Sequence, residues 1–203
     1  AYDESRTLFI ADTGNNRVLA VDASNFIKLK SAFAVLGQSD FTSAASGLSA
    51  ANFYFPSSLS LEGSDLFVLD RFNSRVLVFD ISVIDNGENA VHVLGKPDFE
   101  SPASSLLTPN NISFGTSILT VGRKLFVSQV QGQRVMVFDI SEISDGEPAV
   151  SVLGQMNLNS NAFSTLPINR SSFHFFNGAL AYSPSANKLY VADDGSNRIL
   201  IFD

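Results

Sequence analysis

Three aspartates recur in one setting. Asp12, Asp70 and Asp193 each stand five residues ahead of an arginine (Arg17, Arg75, Arg198), with Asn16, Asn73 or Asn197 in the interval. Carboxylates converging from separate segments are the ligand type of calcium and other oxygen-loving cations. A carboxylate paired with its own arginine serves a different end, because the guanidinium fork can tie it to neighbouring backbone carbonyls and fix a turn. Recurrence favours the second reading, since a building element repeats and a site does not. In the third copy Arg134 persists, but Gln129 and Gly132 replace the acid and the asparagine. These residues are therefore expected to be structural, with no metal and no cofactor. The position just after the acid behaves differently: Thr13, Arg71, Val130 and Asp194 occupy it with four chemistries. A ring offering an arginine, an acid and apolar neighbours can recognise a polar ligand, and these four are the ligand-binding candidates.

Other chemistry is sparse. The sequence holds no Gly-x-Ser-x-Gly elbow, P-loop or dinucleotide-binding glycine pattern, and no catalytic residue is assigned. His92 and His174 lie far apart, fewer than the three or four ligands of a zinc site. "DNGEN" from Asp85 and "SDGEP" from Ser144 lack the alternating ligands of an EF-hand and read as turns.

The elements that carry these residues are repeated. "LFIADTGNNRVLAVD" from Leu8 returns as "LFVLDRFNSRVLVFD" from Leu66, "LFVSQVQGQRVMVFD" from Leu125 and "LYVADDGSNRILIFD" from Leu189, at intervals of 58, 59 and 64 residues. "VLGQSDF", "VLGKPDF" and "VLGQMNL", from Val35, Val93 and Val152, keep step, as do "FPSSLSL", "FGTSILT" and "FNGALAY", from Phe55, Phe114 and Phe176. Each apolar segment is about five residues long and bounded by Gly, Asn, Asp, Ser or Pro, the signature of strands and turns. In "RVLVFD" both alternating sets are apolar, so each face of that strand needs a cover. Neighbouring repeats supply it if four-stranded antiparallel sheets stack radially, as in a β-propeller. The expected fold is all-β. Its blades span 1–38, 55–96, 114–155 and 176–203, with strands A to D running outwards and long D-to-A loops between blades. Gly14 and Asn15 are expected to take positive φ in the B-to-C turn. Phe79, Phe138 and Phe202, at one strand C position, are expected to be buried between blades. The phase leaves the first blade without most of its inner strand and the last without its outer one. Further sequence, or self-association, is expected to complete these ends.

Composition narrows the partners. A net charge of -7 is the wrong sign for tracking phosphates, so nucleic acid is not expected. The longest apolar runs fall far short of the roughly 20 residues that span a bilayer, and "AYDESRT" at the start lacks the pattern of a signal peptide. Cysteine is absent, which removes thiolate chemistry.

The string D-x-x-N-x-R-V-L-V-F-D after a Leu-Phe-Val strand, followed by "VLGQ", resembles the NHL repeat, a propeller blade. "RVLVFDISVIDNGENAVHVLGKPDF" and "RVMVFDISEISDGEPAVSVLGQMNL" are most similar to tandem NHL arrays of large bacterial surface or secreted proteins. That resemblance implies an extracellular or cell-surface, non-enzymatic scaffold, adhesion or binding module with a protein or glycan ligand. A lactonase-like hydrolase or lyase, the alternative, needs an acid or metal cluster in the channel, where strand A offers Ser58, Ser60, Ser117 and Thr120. An RNA-binding NHL propeller needs a basic face.

Overall fold

A computed structural model describes residues 1–4, 6–25, 31–160, 169–174 and 177–203, and it is built from antiparallel strands. The first sheet holds β1 (Thr7–Asp12), β2 (Arg17–Asp22) and β3 (Ala32–Leu36); the second holds β4 (Pro56–Glu62), β5 (Asp65–Asp70), β6 (Arg75–Asp80) and β7 (His92–Leu94). The third is β8 (Gly115–Val121), β9 (Lys124–Gln129), β10 (Arg134–Asp139) and β11 (Ser151–Leu153), and the fourth is β12 (Leu180–Ser183), β13 (Lys188–Asp193) and β14 (Arg198–Phe202). Within each sheet the strands follow chain order, so the connections are hairpins. This is the blade pattern of a β-propeller with about four blades. In the first sheet the inner position is represented, among the described residues, by a bridge between Tyr2 and Leu8 and the paired backbone bonds of Ala1 and Phe9. Phe176, the expected start of the fourth blade, lies outside the described residues.

The covers required by the doubly apolar strands are the adjacent sheets. Val76, Val78, Leu94 and Phe67 of the second sheet meet Leu125, Met136 and Phe138 of the third in one core. Val68, Leu77 and Phe79, on the other face of the second sheet, meet Phe9, Val18 and Leu36 of the first. Arg75 to Phe79 are consequently all buried, as the pattern demands. Phe202 departs from expectation. Phe79 and Phe138 are fully buried, whereas Phe202 is half-buried, because it borders an open groove toward the third sheet; Ile199 and Ile201, on the other face of β14, are exposed.

Two further devices join the blades. The inner strands β4 and β8 are linked through hydroxyls: Ile118 N–H donates to Ser58 Oγ at 3.1 Å, Thr120 N–H to Ser60 Oγ at 2.8 Å, and Thr120 Oγ1 to the Leu61 carbonyl at 2.6 Å. Farther out, the strand C-to-D turns reach back to the preceding sheet. Asn86 Oδ1 accepts from Val35 N–H at 3.0 Å while Gly87 N–H donates to Val35 O; Asp145 Oδ1 and Gly146 N–H repeat this on Val93. "DNGEN" and "SDGEP" are therefore latches between blades as well as turns. Gly87, at φ +68, is confined by the Gln38 carbonyl, 3.1 Å from where a Cβ would stand.

Candidate functional site

Each central hairpin ends on the same residue pair: Asp12 opposite Arg17, Asp70 opposite Arg75, Gln129 opposite Arg134 and Asp193 opposite Arg198. In the first, second and fourth sheets a 3-10 turn follows the acid (Thr13–Asn15, Arg71–Asn73, Asp194–Ser196) and closes on one left-handed residue. That residue is Asn16, Ser74 or Asn197, with φ of 50, 57 and 52, and Gln133 at φ 48 is its counterpart in the third sheet. Positive φ thus falls one position after Gly14 and Asn15, because the turn is 3-10 and not a two-residue hairpin. Asn16 and Asn197 are the left-handed residues, while Asn73 matches Asn15: both donate through Nδ2 to their aspartate.

The arginines are anchors. Arg75 Nε donates to Asp70 Oδ2 at 2.8 Å, and both side chains are 0% exposed. The Arg75 Nη1 atom donates to the Phe99 carbonyl in the loop leaving the blade, and Nη2 donates to the Ser49 and Asn52 carbonyls in the loop entering it, at 2.9 and 3.0 Å. Arg17 and Arg198 pair with Asp12 and Asp193, each at 2.7 Å, and also reach loop carbonyls. Burial pushes the Asp70 carboxyl above its usual range, against the opposing pull of Arg75, the Tyr54 N–H and Asn73. Asp12, Asp70 and Asp193 are thus each taken up by the arginine across their turn, and Asp70 and Asp193 also by a backbone N–H of the preceding loop. Among the described residues no three His, Asp or Glu side chains gather in a metal-binding group.

The third blade keeps the anchor in altered form. Gln129 Oε1 accepts from Arg134 Nε, and Gln129 Nε2 donates to Asn111 O at 3.1 Å. Facing an amide in place of a carboxylate, the buried Arg134 guanidinium is pulled down to about 10 by loss of solvent. Gly132 makes room: a Cβ there would stand 2.8 Å from Arg134 Nε and 2.9 Å from Gln129 Oε1. The two departures from the repeat are thus one compensated change, a longer side chain and an emptied neighbour.

Of the four variable turn positions, two line one hollow. Arg71 and Val130 share a hollow of about 360 Å³ with Phe114 and Gln131, between the mouths of the second and third blades. Thr13 stands at the first turn, outside this lining, and Asp194 is taken up by its own blade, accepting from Asn177 and Gly178 N–H groups. Arg71 Nε is buried and has no hydrogen-bond partner among the described residues. Phe114 is 50% exposed and held at φ 48, and Phe55, its counterpart one blade earlier, is held at φ 64. Phe55 stacks on Phe72 at 4.6 Å, and Tyr54 meets the edge of Phe72 at 5.1 Å. Sequence reasoning did not single out these aromatic residues, although the repeat carries Phe at the start of each inner strand.

No family model matches the chain, and no curated protein matches it in sequence. Its backbone does resemble solved β-propeller proteins. The glutaminyl cyclase of Myxococcus xanthus aligns at a TM-score of 0.51 and 8% identity over 100% of this chain and 72% of that one. The hydrazine synthase of Kuenenia stuttgartiensis aligns at 0.54 and 13% identity over 97% of this chain and 46% of that one. At such identities the likeness establishes the fold alone.

No helix among the described residues is long and apolar enough to cross a membrane.

Proposed function

We propose that the chain is an NHL-type propeller region acting as a non-enzymatic binding module at the cell surface or outside the cell, with the hollow at Arg71 and Phe114 as its ligand site. The unpartnered Arg71 Nε carries this reading. A buried guanidinium donor without an acceptor costs free energy that an incoming carboxylate recovers, in a geometry guanidinium favours. In the same hollow stands the exposed Phe114 ring, a surface suited to the apolar face of a sugar. The ligand that fits is a glycan bearing a carboxylate. The inner-strand hydroxyls, being bonded to one another, favour a structural channel wall over a hydrolase site. Calorimetric titration with oligogalacturonate, and with neutral oligogalactose as control, tests the proposal. Binding of the acidic sugar, weakened at least tenfold in Arg71→Ala and in Phe114→Ala, is expected. Equal binding of both sugars, or an unaffected Arg71→Ala, would overturn it.

A further inference from the structure

Between the third and fourth sheets lies a groove of about 340 Å³, walled by Val121, Phe126, Leu153, Tyr182, Leu189 and Phe202. The same place at the other two junctions is filled. Phe67 and Leu94, which match Phe126 and Leu153, are fully buried, as is Phe138, which matches Phe202; all three counterparts at the groove are only half-buried. What fills the second junction is the segment after β10, whose Ile140, Ile143 and Ala149 join the core there. Ile81, Ile84 and Ala90, after β6, do the same at the first. Both segments read Ile-Ser-x-Ile-x-Asx-Gly-Glu, and the Asx-Gly pair then latches onto Val35 or Val93.

The third acceptor for such a latch is also present. Val152 lies opposite Met136 in the register that places Val35 opposite Leu19 and Val93 opposite Leu77, so its N–H and C=O point away from β10 as theirs do. Among the described residues none takes the place on Val152 that Asn86 and Gly87 take on Val35. Gly154, at φ +88, repeats the backbone of Gly37 and Gly95 at φ +87 and +85. Groove and latch acceptor thus lie on one edge, in the phase of two filled examples in the same molecule.

We infer that this edge is a docking site for a polypeptide segment of the form Ile-Ser-x-Ile-x-Asx-Gly-Glu. The two isoleucines enter the groove and the Asx-Gly turn bonds to Val152, by the side-chain pockets and main-chain pairing through which extended peptides add to sheet edges. The inference is independent of the glycan site, which lies between other blades.

The probe is a fluorescein-labelled peptide, DISEISDGEPAVSV, copied from residues 139–152 and titrated with the 203-residue chain. Saturable binding is expected, with added hydrogen-exchange protection at Val152 and residues 189–202, and at least tenfold weaker binding when both isoleucines are replaced by Asp. Equal binding of the two peptides would overturn the inference. Ordering a free peptide costs affinity, so the same segment is also appended after Asp203. This extension is expected to raise the melting temperature and protect Val152, and its double Asp variant is not. An extension that does neither overturns the inference whatever the free peptide does.

Discussion

Replacing Arg75 by alanine tests whether the recurrent acid and arginine hold the blades or decorate them. In the native chain the guanidinium neutralises Asp70, and both side chains are 0% exposed. It also satisfies the carbonyls of Ser49, Asn52 and Phe99. The variant leaves a buried carboxylate with only Tyr54 N–H and Asn73 as donors, and strands three carbonyls in two loops. Breaking a buried pair from one side costs about 3–5 kcal/mol. Arg17→Ala removes the same pair from the first blade, where the partners are 17% and 25% exposed and water can replace the guanidinium. About 1 kcal/mol is expected there. With a urea slope of about 2 kcal/mol/M, the midpoints should fall by about 2 M for Arg75→Ala and about 0.5 M for Arg17→Ala. The comparison requires coincident transitions by fluorescence and circular dichroism, the mark of a single cooperative unit. Equal shifts in the two variants, or a shift below about 0.5 M for Arg75→Ala, would refute the anchoring role.

Phe138→Ala should destabilise by about 3–5 kcal/mol, whereas Phe202→Ala, at the same repeat position but half-buried, should cost about 1–2, as read from thermal or urea midpoints. Glu88 and Glu147, in the interblade turns, have carboxyls raised by burial. A raised acid favours the folded state most below its unfolded pKa of about 4.3, and that contribution is lost as pH rises through the folded value. Glu88→Gln should therefore melt higher than the native protein at pH 7 and no higher at pH 4. A gain that persists unchanged at pH 4 would contradict this assignment.

The blade order was legible because the strands are short, doubly apolar and repeated in phase, so period and burial gave the same answer. The anchors were legible for a related reason: an acid five residues from an arginine, across a turn, falls in register as the closing pair of a hairpin. Two things were not. Gln129 and Gly132 look like independent losses in one dimension, and become a single exchange of volume only when both side-chain positions meet Arg134. The hollow at Arg71 joins residues from turns of different blades with a phenylalanine between them in sequence, and nothing in the repeat reports which turns face each other. Of the four positions, Arg71 and Val130 share that hollow, while Asp194 accepts from backbone N–H groups of its own blade.

Among the described residues the anchoring arginines grip main-chain carbonyls of the loops and no loop side chain. Every amino acid offers the same carbonyl, so this grip is indifferent to the exposed side chains of the loop, while buried Phe53 and Ile112 anchor the loop ends in the core. The loops are in this respect exchangeable cassettes on a fixed frame. Divergence, or a graft between Gly37 and Phe53, can rewrite the presented surface without renegotiating its attachment, provided the carbonyls return to the points where the guanidinium waits.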